Sequence, residues 1–105
     1  AVLVNGLLYT SGQIPLDPKT MDIVSDNIKD QTEQVMKNIE AILKEANTSF
    51  EKVIKTTCFL KNMNDFAAFN LIYEKYFTGK PARSCVAVKE LPKDVLLEVE
   101  VIAAI

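Results

Sequence analysis

An amphipathic helical pattern in the first half of the chain constrains the fold more than any other feature. From Ser25 or Asp26 onward, apolar residues recur with the helical period on one face, while charged residues occupy the opposite face. The apolar stripe consists of Ile28, Val35, Met36, Ile39, Ile42, Leu43 and Ala46. We expect Ser25 or Asp26 to cap the first turn and Asn47 to end the helix in a left-handed conformation. The stripe requires a sheet to cover it.

Strand patterns lie on both sides of this helix. Residues 1–4 and 7–11 are short apolar runs joined by Asn5-Gly6, the dipeptide best suited to a type I′ hairpin turn. Residues 53–60 read as a mostly buried strand that is rich in β-branched side chains. Alternation along that strand predicts one face made of Ile54, Thr56, Cys58 and Leu60.

The second half of the chain repeats the alternation of helix and strand. A second helix is predicted over about residues 65–77, with Asn62 or Asn64 as its cap and an aromatic stripe that belongs mainly to the core. The stripe consists of Phe66, Phe69, Tyr73, Tyr76 and Phe77. Strands follow at 82–88 and 95–105. This order predicts one α+β domain over residues 1–105, a mixed sheet with both helices packed on one face.

A sheet with helices on one face leaves its other face uncovered. The last two strands carry aliphatic side chains on both faces, so one layer of helices cannot cover all of them. An exposed apolar sheet face predicts association with further copies, and we expect a homo-oligomer.

Composition excludes several classes of function. The chain contains no histidine, so it cannot build a Ser-His-Asp or Cys-His system or a histidine zinc site. The two cysteines have no CxxC spacing and read as reduced, buried thiols. Twelve basic residues against fourteen acidic ones argue against nucleic acid as a partner. No apolar run is long enough to span a membrane, and we expect a cytoplasmic protein, or an organellar one if a targeting segment precedes Ala1.

Arg83 is the leading candidate for chemistry. By alternation it shares a strand face with Cys85, while Glu98 and Glu100 share a face of the last strand. Residue chemistry alone favours ion pairs between Arg83 and a glutamate. The functional alternative is that Arg83 grips a substrate carboxylate while a glutamate positions water. Cys85 as a nucleophile activated by Arg83, and the glutamates as a glycosidase-like acid/base pair, are weaker hypotheses.

Three segments carry a resemblance to a known family. They are YTSGQIPLDPKT at 9–20, KTTCFLKNMNDFAAFNLIYEKYF at 55–77 and PARSCVAVKELPKDVLLEVEVIA at 81–103. Together they resemble the RidA family, also called YjgF/YER057c/UK114, from Leu7 onward. The resemblance implies a chorismate-mutase-like fold and a homotrimer with its sites in clefts between subunits.

The resemblance also implies an activity, the hydrolysis of 2-imino acids such as 2-iminobutanoate and 2-iminopropanoate to 2-oxo acids and ammonia. The implied site residues are Arg83 for the substrate carboxylate, Glu98 for the attacking water, the Cys85 backbone for further hydrogen bonding, and Ser84, Gly12 and Asn70 for further substrate contacts. Glu100 matches a position with a structural role. No metal or organic cofactor is implied.

Other functions remain open from the sequence. Members of the family have also been described as chaperones, translation inhibitors and endoribonucleases, and a trimer that only binds small carboxylates would use Arg83 equally well. The family's Gly-Pro-Tyr motif before the first strand has no counterpart here, and we expect native residues to precede Ala1.

Overall fold

A computed structural model describes residues 1–105 and contains one mixed five-stranded sheet. The strands are β1 (Val2–Val4), β2 (Leu7–Tyr9), β3 (Val53–Leu60), β4 (Ala82–Ala87) and β5 (Leu97–Ala104), and the helices are α1 (Ile28–Glu45) and α2 (Phe66–Tyr76). Their order across the sheet is β1-β2-β5-β3-β4. Only β3 and β4 are parallel neighbours, so the predicted α+β class and mixed sheet are confirmed.

The predicted N-terminal hairpin is present. Asn5 and Gly6 have φ angles of 50° and 78°, the two positive values that a type I′ turn needs. Strand β2 then pairs with β5 in the centre of the sheet, aligning Leu8 with Ala103. The hairpin thereby makes β1 one edge of the sheet, and β4 is the other.

Helix α1 begins later than predicted. Its cap is Asn27, whose side chain accepts a hydrogen bond of 2.8 Å from the backbone N–H of Asp30. The prediction of Ser25 or Asp26 was wrong because Ser25 Oγ accepts the N–H of Asn27 instead, which forms a turn before the helix. At the other end Asn47 has φ 59°, the left-handed conformation that was expected.

One face of the sheet carries the core. Side chains of β3 and β5 that point towards the helices are fully buried, and α1 and α2 contribute the other side of this layer. The predicted position of Ile54 in this face was wrong. A register irregularity between Val53 and Lys55 turns Val53 inward, and the Ile54 side chain remains 48% exposed.

The opposite face, which we call the bare face, has no helix on it. It includes Val2, Val4, Tyr9 and Val86, and each of these side chains is at least 40% exposed. The prediction of an uncovered apolar face is confirmed for the single chain. No helix combines the length and apolarity needed to cross a membrane.

Candidate functional site

Arg83 lies on edge strand β4, on the same side of the sheet as the helices. Its guanidinium carbon is 4.5 Å from the centre of the Tyr73 ring and 5.3 Å from that of Phe66, both on α2. Stacking of a guanidinium on aromatic faces is attractive and fixes its plane. The two rings therefore hold Arg83 in one orientation although it is exposed.

A chain of amide and carboxylate groups continues from Arg83 along α2. Arg83 Nη1 donates a hydrogen bond of 2.6 Å to Asn70 Oδ1, and Asn70 Nδ2 donates one of 3.0 Å to Glu74 Oε1. The donor to Glu74 fixes which way the Asn70 amide faces, so that its oxygen is turned to the guanidinium. Arg83 makes no other side-chain hydrogen bond, and its remaining N–H groups are available to a ligand.

The Tyr73 ring is itself held in place by a residue of strand β3. Its hydroxyl shares a hydrogen bond of 2.8 Å with Thr56 Oγ1 on β3, and both residues are buried. Burial raises the pKa of the Tyr73 hydroxyl, so the group stays neutral and the hydrogen bond persists over the physiological pH range. Thr56 thus supports Arg83 through the Tyr73 ring.

Cys85 lies two residues beyond Arg83 on the same face of β4 and is only half-buried, so the expectation of two buried thiols is corrected for this residue. Burial raises its pKa, while the nearby charge of Arg83 lowers it by less. Because the net change disfavours the thiolate, the hypothesis of a Cys85 nucleophile activated by Arg83 receives no support.

The Ser84 side chain does not join this cluster. Alternation turns it to the bare face, where Ser84 Oγ accepts a hydrogen bond of 3.1 Å from Lys55 Nζ. Among the predicted substrate contacts, Arg83, Asn70 and Cys85 come together on one side, and the Ser84 side chain lies on the other.

Glu98 and Gly12 form a second cluster. Gln13 forms a bridge to Val99 of β5 with hydrogen bonds of 2.8 and 3.1 Å, and this places Gly12 directly against the Glu98 carboxylate. A Cβ atom at Gly12 would overlap Glu98 Oε2. A side chain at this position would force the Glu98 carboxylate to move, so glycine lets the carboxylate lie this close to the backbone.

The two clusters lie on opposite faces of one chain. Arg83 is aligned with buried Thr56 on the helix side, whereas Glu98 is aligned with Phe59 on the bare face together with Glu100. The ion pair expected between Arg83 and a glutamate is absent, because the sheet itself separates them; the single salt bridge joins Lys61 and Asp94. The predicted pairing was wrong, although the shared face of Glu98 and Glu100 is confirmed.

The Arg83 cluster opens onto a groove of about 800 Å³ that runs beside Arg83, Asn70, Glu74 and Lys80 at the edge of the sheet. A second groove of similar volume lies between residues 12–21 and α1, and its lining includes Gly12 but not Glu98. No group of three or more cysteine or carboxylate side chains is placed to hold a metal ion.

Sequence reasoning missed the residues that support Arg83. The sequence pattern assigns Phe66, Tyr73 and Thr56 to the core, and it does not single out Glu74. The available signal was their spacing, because Asn70, Tyr73 and Glu74 follow Phe66 by four, seven and eight positions and so lie on one side of α2.

Comparisons with known proteins agree on one family. The whole chain, residues 1–105, matches the family model described as Endoribonuclease L-PSP. A protein of Lactococcus lactis named "Putative regulator AldR" is 64% identical over 104 residues, which are 98% of this chain and 82% of that protein.

Solved structures give the same result. The Rid-family protein YyfA of Yersinia pestis superposes with a TM-score of 0.95 at 50% identity, over 98% of this chain and 83% of that one. The TdcF protein of E. coli, solved with bound serine, superposes with a TM-score of 0.92 at 41% identity, over 99% of this chain and 84% of that one.

Proposed function

The chain belongs to the Endoribonuclease L-PSP family, which includes the Rid (YjgF) proteins, and from this premise we propose that it hydrolyses small 2-imino acids to 2-oxo acids and ammonia. The proposal rests on the state of the Arg83 side chain. Two aromatic rings and one amide fix its orientation, and it has no carboxylate partner in its own chain. A guanidinium in that state matches the carboxylate of a small substrate through two parallel hydrogen bonds. The similar TdcF structure contains serine, which carries the same carboxylate next to a carbon–nitrogen bond.

The reaction needs little beyond positioning. Water adds to the imine carbon while a base takes one of its protons, and this proton passes to the nitrogen to give a carbinolamine. The hydroxyl proton of the carbinolamine then also passes to the nitrogen, the carbon–nitrogen bond breaks, and ammonia leaves the 2-oxo acid. Arg83 would fix the carboxylate, and Glu98 would accept the proton of the attacking water. Glu98 suits this task because it is half-buried and makes no salt bridge.

The separation of the two clusters leads to a proposal about assembly. Since Arg83 and Glu98 lie on opposite faces of one sheet, a cleft that contains both requires a second copy of the chain. We propose a homotrimer in which Arg83 of one subunit faces Gly12 and Glu98 of the next. The exposed apolar bare face supplies the surface that such an assembly would bury.

A trimer that binds small carboxylates without turnover is the second candidate. It is favoured by the same Arg83 cluster and by the serine in the TdcF structure. Ribonuclease activity has weaker support, because the chain has no histidine and a net charge of −2.

A coupled assay separates these functions. Threonine dehydratase generates 2-iminobutanoate, semicarbazide traps the imine that survives, and the protein is added as wild type, Arg83→Ala or Lys44→Ala. Lys44 is an exposed cation on α1, so its variant controls for loss of a positive charge. We expect wild type and Lys44→Ala to lower the trapped imine equally and Arg83→Ala to have little effect. If wild type leaves the trapped imine unchanged but binds serine or 2-oxobutanoate in calorimetry, the chain is a binding protein and the enzymatic proposal fails.

A further inference from the structure

The two cysteines are direct neighbours across the parallel strands β3 and β4. Cys58 is aligned with Cys85, and both side chains point to the helix side of the sheet. Neighbouring strands lie about 4.8 Å apart, within the roughly 4.4–6.8 Å that separates the Cα atoms of disulfide-bonded cysteines. The backbone therefore already holds them at a separation that a disulfide can bridge.

We propose that Cys58 and Cys85 form a site for reversible oxidation by hydroperoxides, in which Cys85 reacts first and Cys58 then closes an intramolecular disulfide.

The difference in exposure between the two thiols determines which of them reacts first. Cys58 has no exposed surface, whereas Cys85 lies half-buried on an edge strand that is paired on one side only. A dissolved hydroperoxide can reach only Cys85. Burial raises the pKa of both thiols, that of Cys58 to about 12, and the Arg83 charge offsets only part of the rise at Cys85, so the attack proceeds through the small fraction of Cys85 that is ionised.

The reaction balances in two steps. The Cys85 thiolate attacks one oxygen of the hydroperoxide, forming a sulfur–oxygen bond and breaking the oxygen–oxygen bond, and an alcohol leaves after taking a proton. The Cys58 sulfur then attacks the sulfur of the Cys85 sulfenic acid, and water leaves with the Cys58 proton. Two electrons pass from the thiols to the peroxide, so no further reductant or oxidant is needed.

The position of β4 permits the closure. As an edge strand it pairs with no other strand of its own chain on its outer side, so Cys85 can move towards β3 without breaking backbone hydrogen bonds to a further strand. In the absence of Cys58, a sulfenic acid at Cys85 would proceed to the sulfinic acid, which thiols do not reduce. With Cys58 present, the oxidation of Cys85 therefore ends in a disulfide, which is reversible.

Mass spectrometry after treatment with hydrogen peroxide tests the proposal. Trypsin cleaves after Lys55, Lys61, Arg83 and Lys89, so the cysteines fall in separate peptides, residues 56–61 and 84–89. We expect wild type to lose two hydrogen atoms in its intact mass, to yield these two peptides linked, and to return to the starting mass with dithiothreitol.

Two variants assign the order of events. Cys58→Ala should gain two oxygens at Cys85 and fail to recover its mass with dithiothreitol, and Cys85→Ser should leave Cys58 unmodified under the same dose. Circular dichroism confirms that each variant is folded. The wild-type experiment decides the matter even if a variant does not fold. A wild-type product with oxygens on Cys85 and no linked peptide overturns the proposal, as does equal oxidation of Cys58 in Cys85→Ser.

Discussion

Mixing two inactive variants tests whether one active site is built from two copies of the chain. Arg83→Ala removes the guanidinium that we propose binds the substrate carboxylate. Glu98→Gln removes the proposed base while keeping the size of the side chain. Two charge-assisted hydrogen bonds to a carboxylate contribute about 3 kcal/mol together, so Arg83→Ala alone should lose about 100-fold in kcat/KM. We expect Glu98→Gln to be comparably impaired.

The opposite faces of the sheet determine the expected recovery. If each cleft takes Arg83 from one subunit and Glu98 from the next, a cleft works only when the first subunit is Glu98→Gln and the second is Arg83→Ala. When the two variants are mixed in equal amounts and assemble at random, each of these two conditions is met with a probability of about one half. About one quarter of the clefts, and so about one quarter of wild-type activity, should return.

The assay requires subunit exchange, achieved by unfolding the two variants together in guanidinium and refolding the mixture. Native mass spectrometry then verifies that mixed trimers have formed, and 2-iminobutanoate turnover is measured. A mixture of Arg83→Ala with the Arg83→Ala/Glu98→Gln double variant is the matched control, since none of its clefts contains an arginine. If mixed trimers form and activity stays at the level of the parents, Arg83 and Glu98 do not act across a subunit boundary and the assembly we propose is wrong.

Further predictions follow from individual contacts. Gly12→Ala places a methyl group against the Glu98 carboxylate, so turnover should fall about tenfold or more while the free energy of unfolding in urea changes by about 1 kcal/mol or less; unchanged turnover would contradict this role of the glycine. Tyr73→Phe leaves buried Thr56 with only the weak 3.9 Å contact from Cys58 Sγ and should lower the free energy of unfolding by about 1–3 kcal/mol, whereas an unchanged urea midpoint would show that the hydrogen bond does not contribute. Tyr76 donates a hydrogen bond of 2.7 Å to Glu33, which raises its pKa to about 12 from 10.0. Its stabilising effect should be complete below pH 10.0 and disappear as the pH rises to about 12, so the stability of wild type should fall more steeply than that of Tyr76→Phe over that range; parallel pH profiles would refute this.

Local chemistry explains why much of the fold could be predicted. Asn5-Gly6 favours one turn type whatever surrounds it, and the stripe from Ile28 to Ala46 is legible because α1 has a single apolar face. Predictions failed where neighbouring residues compete. Ser25, Asp26 and Asn27 are all good caps, and the choice among them depends on the turn that Ser25 makes with Asn27. The bulge that exposes Ile54 likewise depends on pairing with β5, which lies more than forty positions away in the chain.

The candidate site could be predicted only in part, for a related reason. Alternation predicts which residues share a face within a strand, and it correctly grouped Arg83 with Cys85 and Glu98 with Glu100. Alternation does not tell which face of one strand lies on the same side of the sheet as a given face of another strand. That relation is set by the pairing register between distant segments, which aligns Arg83 with Thr56 and Glu98 with Phe59. The expected ion pair failed on this point alone.

The same register gives a physical reason to expect a second copy of the chain. A side chain on the helix side of the sheet can reach a ligand only at an edge, and Arg83 lies on edge strand β4. Glu98 lies on a central strand, where the helix side is filled by core, so it can reach a ligand only from the bare face. Each residue thus occupies an accessible position for its strand, yet no movement of side chains within one chain brings the two together. If both act on one substrate, an edge of one copy must meet the bare face of another, and the apolar side chains exposed on that face provide a favourable free energy for the contact.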